Sequence, residues 1–243
     1  MRFLCLSFLV ALTSCLDEIQ NPKIIILISA NAEWKVIKEL FPGEQYTTTP
    51  WGEYFVDELN TREDNKPVIF FHEGWGKVSA AGATQYAIDK WNPDVLINLG
   101  TCGGFEGAVN KFEILLVDRT IICDIREAIE GYSTTIDLSW INFPDSIRKT
   151  VMVSADKDLI PHELEILKRN YNAIAGDWET GTIAYTSLRN KKKLLILRGV
   201  TDLVNDSTGE AYGNNYVFVS GTEVVMKKLV DDLPAWLDAI KTD

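Results

Sequence analysis

Four short segments of this 243-residue chain place acidic, hydroxyl or glycine residues where an apolar run gives out. Ser29-Ala30-Asn31-Ala32-Glu33 follows Ile24–Ile28, and Gly100-Thr101-Cys102-Gly103-Gly104 follows Asp94–Leu99. Gly176-Asp177-Trp178-Glu179 precedes a helical stretch, and Thr201-Asp202 comes just after Leu194–Arg198. In open α/β sheets ligands bind beyond the carboxyl ends of strands, so chemistry is to be sought in these segments. Carboxyl groups gathered there can move protons as general acids and bases. Each segment alone has a plainer explanation: a carboxylate after a strand is more often a helix N-cap, and paired glycines are often mere turns. Their combination is much less expected by chance.

The surrounding pattern is an alternation of strands and helices. Ile24–Ile28 is a β-branched run suited to a strand buried on both faces, and Asp94–Leu99 and Leu194–Arg198 are of the same kind. Tyr54–Leu59, Val68–Phe71, Ile114–Val117, Thr120–Ile122 and Thr150–Ser154 complete the predicted strands. Helical patterns cover Ala32–Leu40, stopped by Pro42-Gly43, an Ala-rich Lys77–Trp91, Leu164–Asn170, Thr180–Leu188 and a long C-terminal Glu223–Ile240. Such alternation predicts an α/β sandwich with a mainly parallel central sheet. No Ser/Gly/Pro-rich linker or internal repeat divides it, so residues 23–243 are expected to form one domain.

Composition narrows the partners. With 24 Lys and Arg against 35 Asp and Glu the net charge is −11, and such a surface repels phosphate backbones. A small neutral ligand is compatible with it; a nucleic acid is not. The two histidines, His72 and His162, and the cysteines Cys102 and Cys123 form no ligand-like cluster, so neither a structural zinc site nor a disulfide framework is expected. Residues 1–22 form a separate segment. One arginine precedes an apolar run, Phe3–Leu12, that is too short for a bilayer span but fits a secretory signal. Its ending, Leu12-Thr13-Ser14-Cys15, resembles a bacterial lipobox. That predicts export, a lipid on Cys15 and a short tether, LDEIQNP, before the fold. The alternative is a misplaced start or a frayed tail on a cytoplasmic protein.

Several blocks resemble the nucleoside phosphorylase superfamily, and within it the methylthioadenosine/S-adenosylhomocysteine nucleosidases. They are Gly76-Lys77-Val78 with its Ala-rich helix, Pro93 through Gly104, Asp177-Trp178-Glu179, and Arg198-Gly199-Val200-Thr201-Asp202. The resemblance implies a three-layer sandwich with a mixed, mainly parallel sheet flanked by helices. It also implies hydrolysis of a purine nucleoside's N-glycosidic bond, a homodimer, and no metal or cofactor. Breaking that bond builds positive charge on the ribose and negative charge on the purine, so an acid at the base and a base for water are wanted. By the resemblance Asp202 protonates the purine and Glu33 activates water. Glu179 binds the ribose hydroxyls, and Trp178, Thr101, Cys102 and Gly103 line the nucleoside site.

Departures from the pattern bear on specificity. Trp178 stands where those nucleosidases carry methionine, and Cys102 where alanine is usual, as a packing residue and not a nucleophile. Ser154–Leu159 resembles the loop whose aromatic side chain stacks on adenine, yet it contains none. A phosphorylase of this superfamily would carry an arginine in the segment after the first strand. Glu33 stands there instead and disfavours a phosphate dianion, with Arg119 and Arg126 read as surface charges and, as the alternative, as anion ligands. Hydrolysis is therefore the expectation. Phosphorolysis, or a lipid-anchored nucleoside-binding protein without turnover, are the alternatives.

Overall fold

A computed structural model describes residues 23–125 and 132–241. The predicted signal segment, with Cys5 and Cys15, and Arg126 lie outside the described residues. Strands β1 (Ile24–Ile28), β2 (Thr47–Thr48), β3 (Glu53–Asn60), β4 (Asn65–His72), β5 (Val95–Phe105), β6 (Ile114–Ile122), β7 (Ser133–Thr135), β8 (Arg148–Ser154), β9 (Ala173–Asp177) and β10 (Lys193–Val204) form one mixed sheet. The run β4-β1-β5-β10 is parallel, as is β6-β8-β9. Antiparallel pairings of β5 with β9 and of β10 with β6 join the two runs, so β5, β9, β8, β6 and β10 close into a ring.

Helices α1 (Asn31–Leu40), α2 (Gly76–Trp91), α3 (Leu164–Tyr171), α4 (Thr180–Arg189) and α5 (Asn215–Asp238) cover the sheet. Alternate side chains of the buried strands serve opposite faces. Ile26 and Ile28 pack with Trp34 and Ile37 of α1 and Val225 and Leu229 of α5. Ile25 and Leu27 pack with Ala80, Ala83 and Ala87 of α2 and Ile183 and Ala184 of α4. This is the three-layer arrangement implied by the resemblance, with a third cluster under α3 built from Phe105, Val153 and Leu164.

Several boundaries differ from the sequence reading, and most of the differences concern the site. β5 does not end at Gly100 but runs to Phe105, and β10 does not end at Arg198 but runs to Val204. The two stay paired from Val95 and Lys193 to their ends, so the Gly103-Gly104 pair is strand, not a turn. A bulge at Thr201, opposite Cys102 and Gly103, interrupts the alternation. Such an extra residue re-aims the side chains that follow it, here that of Asp202. β9 is unforeseen, α5 starts eight residues before the predicted Glu223, and Ile114–Ile122 is one strand, not two.

Between β5 and β10 lies Arg198, fully buried directly after the apolar run Leu194–Leu197. It fits because Gly100 has no side chain: a Cβ there would lie 1.7 Å from Arg198 Nη1. Gly100→Ala is thus expected to expel the guanidinium and strand its buried carboxylate partners. The cost should be about 3–5 kcal/mol, the range for a broken buried ion pair. Urea denaturation checks this; an unchanged midpoint would show that the seam tolerates a methyl group.

Candidate active site

A cavity of about 550 Å³ opens at the carboxyl ends of β1, β5, β9 and β10, well within the size range of small-molecule sites. All seven residues expected at the site line it: Glu33, Thr101, Cys102, Gly103, Trp178, Glu179 and Asp202. Residues read as structural or as surface charges lie elsewhere. His72 stacks on Trp34 at 5.3 Å as a packing residue, and Arg119 bonds the Tyr171 carbonyl oxygen. Among the described residues no cluster of three or more His, Cys, Asp or Glu is arranged to hold a metal.

Glu33 projects from the first turn of α1. Its Oε2 accepts the Ala30 N–H at 2.9 Å, closing a capping interaction across that turn. Its Oε1 accepts the Thr101 N–H at 2.7 Å and the Thr101 hydroxyl at 2.8 Å. Three donors from the ends of β1 and β5 thus fix one buried carboxylate in one orientation. Cys102, next in β5, is buried with Sγ 3.7 Å from the Gly199 carbonyl oxygen. Burial pushes its thiol well above the ordinary range, which leaves it an inert packing group.

Arg198 organises the floor behind these residues. Its Nε lies 3.0 Å from Asp177 Oδ2, its Nη2 donates to Asn98 Oδ1 at 2.7 Å, and its Nη1 lies 3.9 Å from Glu33 Oε1. Asp177 in turn accepts the Thr180 hydroxyl at 2.8 Å and the Thr180 N–H at 3.3 Å, which ties the first residue of α4, and with it the adjacent Glu179, to Arg198. Sequence reading had quoted both residues within motif blocks without giving either a role. The available signal was a lone charge inside a doubly buried strand, which requires a buried counter-charge.

Glu179 and Asp202 are both nearly inaccessible and differently supported. Glu179 Oε1 accepts the Gly76 N–H at 3.0 Å. Gly76 opens α2 at φ +80°, a conformation disfavoured for residues with a Cβ. Burial, reinforced by the charge of Asp177 and opposed by Arg198, pushes Glu179 up to about 8. Asp202 Oδ1 accepts the Thr201 hydroxyl at 2.6 Å. Burial pushes this carboxyl up as well, against the pull of that hydrogen bond. A buried carboxyl whose proton is held more tightly than usual is a candidate for delivering one.

Ser154–Leu159 brings Lys157, Asp158 and Leu159 to the cavity but no aromatic ring. Aromatic surface comes from Trp75, Trp178, Tyr212 and Phe218, of which sequence reading named only Trp178. The indoles of Trp75 and Trp178 approach at 6.4 Å beside the Gly76–Glu179 hydrogen bond.

The raised Glu179 carboxyl makes a stability prediction. In the folded protein it retains a proton that the unfolded chain releases near 4.5, so its stabilising contribution is present at low pH and is lost as pH rises towards about 8. Glu179→Gln cannot ionise, so its unfolding free energy should fall less between about pH 5 and pH 8 than that of the parent. Denaturant titrations across that range measure it, and parallel declines in the two proteins would contradict it.

A family model described as the phosphorylase superfamily matches residues 23–222. The 5′-methylthioadenosine/S-adenosylhomocysteine nucleosidase of Buchnera aphidicola is 26% identical over 189 residues, covering 68% of this chain and 82% of its own. Among solved structures, an enzyme of that same description from Colwellia psychrerythraea, in complex with adenine, superposes with a TM-score of 0.73 at 18% identity. That match covers 90% of this chain and 96% of the other. Futalosine hydrolase of Helicobacter pylori superposes at 0.71 with 17% identity, over 88% of this chain and 98% of its own. With its fold, its motif blocks and 200 consecutive residues matched by the family model, this chain belongs to the phosphorylase superfamily.

Proposed function

We propose that the protein is a purine nucleosidase. It hydrolyses the N-glycosidic bond of adenosine-type nucleosides, 5′-methylthioadenosine and S-adenosylhomocysteine, to adenine and a thioribose product. The observation that carries this reading is the charge of the cavity wall. Glu33, Asp158, Asp177, Glu179 and Asp202 line it against a single lysine, Lys157, which is already paired with Glu163 at 2.6 Å. Among the described residues such a wall offers a phosphate dianion no unpaired cation, and its carboxyl oxygens face the positive charge that develops on the ribose. Arg198, the cation behind the wall, is committed to Asp177 and Asn98.

In this mechanism Asp202 donates its proton to the purine as the bond to C1′ lengthens, so the base leaves neutral. Glu33, oriented by Ala30 and Thr101, takes a proton from the water that attacks C1′. Glu179 presents Oε2 to the ribose hydroxyls while Gly76 holds Oε1. Neither a metal nor a cofactor enters any of these steps.

The same reading extends to assembly and location. Val78 on α2 is 80% exposed and Leu188 on α4 57%, and the two helices pack side by side. This apolar surface supports the homodimer that the resemblance implies. The Leu12-Thr13-Ser14-Cys15 sequence supports export and lipid anchoring through Cys15, a cytoplasmic location being the alternative.

The test is adenine release from methylthioadenosine by the purified protein, with and without phosphate, beside Asp202→Asn. Release without phosphate, slowed about 10²–10⁴-fold in the variant, is the expected result. Release only with phosphate would make the protein a phosphorylase, and tight binding without release a nucleoside-binding protein. Sedimentation of the same protein, and the mass of its N-terminus from the native host, check the dimer and the lipid.

A further inference from the structure

Glu73 is a further buried carboxyl beside the site, outside the cavity wall and outside the motif blocks. It directly follows β4 and is fully inaccessible. Its backbone N–H donates to the Ile28 carbonyl oxygen at 2.9 Å, tying the end of β4 to the end of β1. Its side chain meets two hydroxyls: Ser29 Oγ lies 2.9 Å from Oε1, and Thr84 Oγ1 of α2 lies 3.2 Å from Oε2. The charged groups that act on it are Arg198 from β10 and Glu33 from α1. Arg198 is already engaged with Asp177, so it cannot also neutralise Glu73.

An ionised carboxylate here would be a buried charge next to Glu33 with only two hydroxyls for support, a costly arrangement. A carboxylic acid suits the same surroundings: it accepts from one hydroxyl and donates to the other. Burial correspondingly pushes Glu73 up to about 8. Ser29, which it anchors, immediately precedes Ala30, and the Ala30 N–H is one of the three donors on Glu33.

We infer that Glu73 is a positioning residue for Glu33: as a neutral carboxylic acid it fixes, through Ser29, the Ser29-Ala30 peptide whose N–H holds the Glu33 carboxylate. This rests on the reading of Glu33 as the base that activates water. The pair forms one continuous path, from the end of β4 through the end of β1 to the first turn of α1. A misaimed base loses rate while leaving substrate affinity, because Glu33 acts on water and Glu179 and the aromatic wall hold the nucleoside.

The test compares Glu73→Gln, Glu73→Leu, Ser29→Ala and Glu33→Gln by steady-state adenine release from methylthioadenosine, with amide hydrogen exchange of residues 28–34. The glutamine amide can accept from Ser29 and donate to Thr84, so Glu73→Gln should keep kcat within about threefold of the parent. Glu73→Leu, and Ser29→Ala should the leucine variant not fold, should lower kcat about tenfold or more with KM nearly unchanged. Both should also speed exchange at the Ala30 amide. Loss in Glu73→Gln equal to that in Glu73→Leu, or parent-like kcat and exchange in Ser29→Ala, would overturn the inference. Parent-like activity in Glu33→Gln would instead remove the base on which it rests. If the parent releases no adenine, Ala30 exchange still decides whether Glu73 holds this peptide.

Discussion

One guanidinium holds this site together. Arg198 is fully buried where β5 and β10 run side by side, and its three nitrogens face Asp177, Asn98 and Glu33. Asn98 carries the constraint onward by donating to the Leu27 carbonyl oxygen of β1. Asp177 carries it to α4 by accepting the hydroxyl and the N–H of Thr180, the helix's first residue. The strands and helices that deliver Glu33, Glu179 and Asp202 are thus registered against the same cation. Gly100 is the steric condition for it, since any side chain there would occupy the volume of the guanidinium.

A single cation cannot neutralise so many buried acids. Glu33, Glu73, Asp177, Glu179 and Asp202 are all shielded from solvent around it. Once Arg198 is paired with Asp177, burial favours the protonated form of the others that lack strong donors. Glu33 is the exception in support, with two backbone N–H groups and a hydroxyl on its carboxylate. Carboxyl groups of identical chemistry are sorted in this way by their surroundings, one to take a proton from water and another to give one to a leaving base. With Lys157 paired to Glu163 and Arg198 to Asp177, the cavity has no unpaired cation for a phosphate dianion among the described residues.

Much of this was legible in the sequence, for physical reasons that can be named. Ile24–Ile28 and Leu194–Leu197 are apolar on both faces because helices cover both sides of the sheet, and each reads as strand. The seven expected site residues meet in one cavity because each sits in the carboxyl-terminal half of a strand or in the segment that follows one. The continuation of β5 and β10 past Gly100 and Arg198 was not legible. It depends on the two strands pairing with each other through glycines and a bulge, not on local propensity. β9, Ala-Ile-Ala-Gly-Asp, is too short and too poor in β-branched residues to declare itself, and its neighbours β5 and β8 define it. Glu73 escaped notice because a carboxylate at a strand end reads as exposed until the chain on both sides is seen to bury it.

Burial around one arginine keeps the Glu73 and Glu179 carboxyls protonated at neutral pH. Carbon-13 NMR of protein labelled at its glutamate carboxyl carbons tests it most directly. Two glutamate signals should remain protonated at pH 7 and titrate near 8, one absent from Glu179→Gln and the other from Glu73→Gln. Titration of every glutamate in the ordinary range, about 4.3, would contradict the account.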